Sequence, residues 1–402
     1  MNKKRTDYTF KYNVDNGRHG WLRLTPAYSI KLVEEIITKH NPQKDCRILD
    51  PFCGTATTGI VSATNGYKCS LYDINPFLVW FGNIKAQEYS STELDKVITT
   101  LNQDIKELSY KEGLWIPNIK NIERWWDNKT LNSLASIRNY LSNIWGEPNK
   151  NGVHNLLWIA FARLCIEVSA ADFNHISLSF KNNTSTVEFD VVKNAFLKYC
   201  DSILESAKAP LIGNAIVYLG DSRLLPVEEK YDLVITSPPY PNRISYIREL
   251  RPYMYWLRFL EESKEAGELD WKAIGGTWGS ATSKLLLWEP ASTTLAQELL
   301  EVCEKIKNSD SKNGVSMSRY VHKFFDDLCM HLSSLRQRLN KGASINYIIG
   351  NSSFYGNMVD TESYMIDILQ NLGYKDIKSS IIRKRNSKKC LYEYLISARW
   401  ED

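Results

Sequence analysis

The run Asp232-Leu233-Val234-Ile235-Thr236 passes without a break into Ser237-Pro238-Pro239-Tyr240, which is hard to explain as ordinary loop text. Two prolines fix φ and supply no amide donors, so their carbonyls stand as rigid acceptors beside the Ser237 hydroxyl. Such acceptors suit the hydrogens of an exocyclic amine, and the Tyr240 ring offers a face on which a flipped-out base can stack. A plain strand-to-loop stop would account for the same residues without chemistry. A second constellation lies upstream, where Ile48-Leu49-Asp50 ends an apolar strand and Pro51-Phe52-Cys53-Gly54-Thr55-Ala56 forms a small-residue turn ahead of a helix. Small residues admit close backbone approach by a ligand. Asp73 follows Gly54 by 19 positions, close to the roughly 20 at which doubly wound sheets place a ribose-binding carboxylate. The pair predicts a nucleoside site at the C-terminal edge of the strands. Neither Gly-x-Gly-x-x-Gly nor the Gly-Lys-Ser/Thr end of a phosphate loop is present, so a diphosphate is not the expected ligand.

Elements that could hold these residues are legible in the same text. Short β-branched or aromatic runs at Cys46–Asp50, Tyr67–Asp73, Ala215–Leu219, Tyr231–Ser237, Ser344–Gly350, Ser379–Arg383 and Leu391–Ser397 read as strands. Several alternate with helical patterns such as Tyr28–Lys39 and Tyr320–Leu339. That alternation predicts an α/β fold, a largely parallel sheet with helices on both faces, and the final strand pair reads as an antiparallel hairpin. Two intervals interrupt it: a Trp-rich helical stretch between Ala86 and Pro210, and a mixed polar segment from Glu261 to Val315 carrying Gly275, Gly276, Trp278 and Gly279. Insertions of this kind carry specificity more often than core chemistry.

With 402 residues, 43% of them hydrophobic, the chain can bury one large or two moderate cores. A net charge of +4 cannot coat a polyanion, so any nucleic-acid surface must be local. Eight scattered cysteines without Cys-x-x-Cys argue against a zinc knuckle or a disulfide framework and for a reducing cytosol. No apolar run approaches the roughly 18 residues of a membrane span, so no membrane partner is expected.

The succession Asp-Pro-Phe-Cys-Gly, Asp-Ile-Asn-Pro, Gly-Asp-Ser and Thr-Ser-Pro-Pro-Tyr resembles the S-adenosylmethionine-dependent DNA amino-methyltransferases, which modify cytosine N4 or adenine N6. The likeness covers roughly residues 17–86, 211–260 and 318–400 and neither insertion. It departs from the usual pattern at Ala56, which stands where a second glycine is common. The resemblance implies a Rossmann-like sheet of seven strands with an antiparallel terminal hairpin. It divides the chain into a cofactor-binding part (1–85), a helical insertion (86–210), a catalytic part (211–260), a target-recognition insertion (261–316) and the remainder of the domain (317–402). It further implies that Asp50, Pro51, Phe52, Cys53, Gly54 and Thr55 line the methionine end of S-adenosylmethionine. Asp73 with Ile74 would hold the ribose, Asp221 with Ser222 would face the adenine amine, and Tyr28 would belong to an N-terminal element closing over the methionine end. Ser237, Pro238, Pro239 and Tyr240 would be the catalytic tetrad. The implied partner is double-stranded DNA in a restriction-modification or phage-defence setting, with a companion restriction endonuclease as a second partner, in the nucleoid region of a prokaryotic cytoplasm.

The amine chemistry requires no metal, and methylation of the cytosine ring carbon is disfavoured because no Pro-Cys dipeptide supplies a thiolate. Within the resembled family, Ser at the first tetrad position is more typical of cytosine, and Asp or Asn of adenine. A hydroxyl can accept from the amine and donate to the adjacent ring nitrogen, whereas an ionised carboxylate cannot donate. Cytosine N4 is therefore the expected target and adenine N6 the runner-up. RNA or protein-amine methylation, or a non-catalytic binding protein, are further alternatives. The basic run Arg383–Lys389 is expected to meet phosphates, and Arg243, Arg248 and Arg251 beside Tyr246, Tyr253 and Tyr255 form either a strand grip or a helix core.

Overall fold

A computed structural model of the chain describes residues 6–24, 27–149, 151–172, 179–181, 186–226, 228–276, 280–291, 294–385 and 390–402. Its strands are β1 (Arg47–Asp50), β2 (Lys68–Asp73), β3 (Ala171–Asp172), β4 (Ser179–Phe180), β5 (Asn214–Leu219), β6 (Tyr231–Thr236), β7 (Leu339–Gly350), β8 (Ser352–Phe354), β9 (Asn357–Val359), β10 (Lys375–Lys384) and β11 (Tyr392–Arg399). Seven form one sheet in the order β10-β11-β7-β6-β1-β2-β5. Strands β5, β2, β1, β6 and β7 run parallel, and β11 is antiparallel to both β7 and β10. The seven expected strands and the terminal hairpin are therefore present as an α/β sheet. The pairs β3/β4 and β8/β9 were not expected; segments of two or three residues leave no periodicity to read.

Alternation along the strands sends side chains to two cores. Ile48, Leu71, Val217, Leu233 and Ile235 face the helices Ile30–His40 and Thr57–Thr64, whereas Leu49, Tyr72, Val234, Tyr347 and Ile349 face the long helix Gly314–Arg336 and helix Thr361–Asn371. The order reverses around β1, whose neighbours are β2 and β6, and this opens a crevice beyond the C-terminal strand ends.

The interval between Ala86 and Pro210 holds four long helices, Ser91–Asp104, Asn128–Trp145, Asn155–Glu167 and Phe189–Ala207. Trp125, Trp126 and Trp158 are fully buried there, in a core shared with Phe77 and Phe81 of helix Pro76–Ala86 and with Trp256. Arg18 fastens this layer to the N-terminal segment, donating to the carbonyls of Lys85, Gln87, Ala207 and Ala209 at 2.6 to 2.8 Å. Four carbonyls left open at two helix ends are thus satisfied by one guanidinium. The interval from Glu261 to Val315 carries helices Ser263–Lys272, Ser280–Leu285 and Gln297–Lys307, while Trp278 and Gly279 lie outside the described residues. No helix among the described residues is long and apolar enough to cross a membrane.

Candidate active site

Both constellations open into one cavity of about 920 Å³ at the C-terminal strand edge, within the range of small-molecule sites. Among the expected residues, Tyr28, Pro51, Phe52, Gly54, Asp73, Ile74, Asp221, Ser222, Ser237, Pro238, Pro239 and Tyr240 line it. Asp50, Cys53 and Thr55 do not; they stand behind its wall.

Asp50 is fully buried at the end of β1. It accepts the Phe52 amide at 3.0 Å, the Thr236 hydroxyl at 2.5 Å and the Tyr28 hydroxyl at 3.0 Å. Burial raises its pKa, and these donors pull it back. Its geometry is that of a clasp between the loops after β1 and β6, not of a ligand-facing carboxylate. Cys53 is likewise buried, its amide donating to Tyr72 O at 2.8 Å. The carbonyl of Thr55 accepts from the buried Lys85 ammonium at 2.6 Å. Burial draws that ammonium down to about 7. Gly54 turns at φ 51, and Ala56 adopts φ 59 where glycine is usual, so the glycine-type conformation persists without the glycine. An alanine there costs about 1 kcal/mol or more of strain.

Asp73 ends β2 and accepts the Gly54 amide at 2.9 Å and the Asn75 amide at 2.8 Å. Burial pushes its carboxyl up to about 7 despite these bonds. A carboxylate held this way is suited to further donors such as ribose hydroxyls, which would relieve its desolvation. Asp221 follows β5 and is gripped by Arg223, whose Nε and Nη2 reach it at 2.9 and 2.6 Å. Burial raises Asp221, but the Arg223 contacts outweigh it and hold the carboxyl below its usual range. Arg223 also donates to Asp327 at 2.7 Å and to the Lys272 carbonyl at 2.8 Å. Phe52 meets the buried His331 edge to face at 4.8 Å, and the His331 ring bridges Ser222 O and the Tyr347 hydroxyl. Burial lowers His331 to about 4, so this bridge is a neutral imidazole.

At the other end of the cavity the Ser237 hydroxyl donates to the Ile348 carbonyl at 3.1 Å. Its oxygen also meets the Tyr240 hydroxyl and keeps a lone pair to accept, while its proton is already engaged, so the arrangement does not provide the expected donation to a ring nitrogen. The Tyr240 ring lies on Gly350, where an added Cβ would stand 2.9 Å from Cδ2 and Cε2. Of the aromatic residues on helix Tyr246–Trp256, Tyr246 lines the cavity, whereas Tyr253 and Tyr255 are core, Tyr253 stacking on Phe77 at 5.4 Å.

Further lining residues escaped the motifs: Tyr8 and Lys11, Lys272 to Ile274, and Arg383, Lys384, Arg385 and Glu393 of the terminal hairpin. Arg383 grips Glu393 with two bonds of 2.7 Å, and Asn386 to Lys389 lie outside the described residues. The basic residues 383–385 thus contribute to the cavity wall. No spacing rule connects them to the motifs; pairing of β11 on β7 brings them there. Among the described residues no cluster of His, Cys, Asp or Glu could hold a metal.

No family model matches the chain. It is 24% identical over 442 residues to the Type II methyltransferase M.BsoBI of Geobacillus stearothermophilus, covering 98% of this chain and 86% of that protein. It is 21% identical to the Type II methyltransferase M.AvaI of Anabaena variabilis, with 91% and 81% covered. With the Type II methyltransferase M.MvaI of Kocuria varians it shares 24% identity over 57% of this chain and 55% of that protein. In agreement with the resemblance of its sequence, the chain is a homologue of the Type II methyltransferases.

Proposed function

We propose that the protein is a site-specific DNA methyltransferase that takes its methyl group from S-adenosylmethionine and places it on the 4-amino group of a flipped-out cytosine. The observation that carries this reading is that a single cavity is lined at one end by Asp73, Asp221 and Gly54 and at the other by Ser237 to Tyr240. The first group fits the cofactor: Asp73 offers a half-buried carboxylate to ribose hydroxyls, Asp221 offers another to an adenine amine, and Phe52 and Ile74 supply apolar walls. S-adenosylmethionine, when bound, supplies an electrophilic methyl with a neutral thioether as its leaving group.

The chain's own residues act on the acceptor. Ser237, its proton held by Ile348 O, and the Pro238 carbonyl would accept the two amine hydrogens, drawing the nitrogen lone pair out of ring conjugation toward the methyl carbon. Tyr240 would hold the ring by stacking. Rigidity at the prolines keeps these acceptors aimed before reaction, so the contribution is orientation and electrostatics. Cytosine is favoured over adenine by Ser237 in place of Asp or Asn. A bacterial restriction-modification setting, with a companion endonuclease and a cytoplasmic location, agrees with the Type II names of the relatives. Mass analysis of nucleosides from DNA of expressing cells should show N(4)-methylcytosine above background. N(6)-methyladenine alone would overturn the base assignment, and no methylated base would overturn the DNA reading.

A further inference from the structure

The acceptors of the tetrad leave one need unmet. A cytosine presented to Ser237 and Pro238 carries a ring nitrogen beside its amine and a carbonyl beyond it, both acceptors, and these require donors. Pro238 and Pro239 have no N–H, the Ser237 proton is engaged by Ile348 O, the Tyr240 hydroxyl is hydrogen-bonded to Ser237, and the Tyr240 backbone is hydrogen-bonded to Tyr246. Three cationic side chains line this end of the cavity, Arg383, Lys384 and Arg385. Arg383 spends its Nε and Nη2 on Glu393 at 2.7 Å each. Arg385 is placed differently. Its guanidinium carbon stands 5.5 Å from the centroid of the Tyr240 ring, and its Nη1 donates to the Asn351 carbonyl at 2.9 Å. Asn351 is fixed in turn by the Tyr392 amide, which donates to its Oδ1 at 2.8 Å. The same Nη1 lies 3.4 Å from the Cβ that Gly350 lacks, so the bare Gly350 makes room for both Arg385 and the Tyr240 ring.

We propose that Arg385 is a specificity-determining residue for the base: anchored through Nη1 and lying over the Tyr240 ring, it offers its remaining N–H groups to the ring nitrogen and carbonyl of a cytosine held against Tyr240. The inference rests on the amino-methyltransferase reading and names the donor that the tetrad lacks. Adenine turned the same way presents a ring nitrogen followed by a C–H, which leaves one guanidinium donor without a partner. A planar fork that pairs with two adjacent acceptors therefore ranks cytosine above adenine, and a lysine, being a point charge, reproduces this only in part.

The test uses the full-length protein and a duplex bearing the site methylated in expressing cells, with the target base either cytosine or a carbon-linked 2-aminopyridine, which keeps the amine and the adjacent ring nitrogen and lacks the carbonyl. For the wild type, kcat/KM should fall about 10- to 100-fold when the carbonyl is removed. Arg385→Met should lower kcat/KM on the cytosine duplex by a similar factor, become indifferent to the carbonyl, and keep S-adenosylmethionine affinity by calorimetry. Arg385→Lys should recover part of the loss. A merely structural role would lower both duplexes equally, and that result overturns the proposal, as does a wild type indifferent to the carbonyl, which needs no variant to fold. Wild-type N(4)-methylcytosine formation with an unimpaired Arg385→Met sinks this inference alone. A wild type that methylates no DNA base sinks the underlying reading and this one with it.

Discussion

The Thr236 hydroxyl donates to the Asp50 carboxylate at 2.5 Å, joining residues 186 positions apart at the two strand ends that flank the cavity. Both side chains are wholly buried. Thr236→Val keeps the shape and removes the donor, leaving a buried carboxylate short of a partner. The folded state should lose about 1–3 kcal/mol, read as a lower urea midpoint with an unchanged m-value.

Asp73 makes a prediction in pH. Its carboxyl ordinarily titrates near 3.8 and is raised to about 7 in the fold, with burial as the first cause. Between those values the folded protein holds a proton that the unfolded chain has released, so this contribution to stability is present below about 4 and is lost as pH rises through about 7. Asp73→Asn lacks the titration. The melting temperature of the variant relative to wild type should therefore climb across that window and flatten above it, and a difference that stays level would remove Asp73 as the titrating group.

Binding at the same carboxylate is separable from its stability. Asp73→Ala should weaken S-adenosylmethionine about tenfold or more, the scale of hydrogen bonds to a charged group. Calorimetry with an unchanged dissociation constant would take Asp73 out of the cofactor site.

Tyr240→Ala should divide the two ends of the cavity. Stacking of a base on an aromatic ring contributes about 1–3 kcal/mol, so methyl transfer to a duplex should drop about 10- to 100-fold while cofactor affinity holds. Wild-type turnover by this variant would end the assignment of Tyr240 to the base.

Target reading is expected in the segment 261–316. Exchanging it for the corresponding segment of a relative should change the methylated sequence without abolishing cofactor binding. Sequencing that finds the original target would shift recognition to the helical interval 86–210.

Much of the architecture was legible because its signals are local. Val234 and Ile235 alternate between two cores, Gly54 must turn, and Asp73 must end a strand; each can be read within a few neighbours. What escaped was assembled at long range. Asp50 carries the same letters as a ligand-facing acid, and only the arrival of Thr236 and Tyr28 turns it into a clasp. Arg385 read as part of a basic tip and meets Tyr240, 145 positions earlier in the chain, because β11 lies on β7. Tyr253 and Tyr255 looked available to a partner and are core because the helical interval covers them.

The hairpin of β10 and β11 also sets a timetable. The cavity takes part of its wall from Arg383, Arg385 and Glu393, and these residues reach it only after β11 has paired with β7. During synthesis the ribosome delivers the segments bearing Gly54, Asp73 and Ser237 well before that pair, and domains form their long-range contacts as the chain emerges. A nascent chain can therefore shape the Gly54 and Asp73 end of the crevice while the Ser237 end still lacks a side. The Ser237 end of the cavity is complete only when β11 has joined β7.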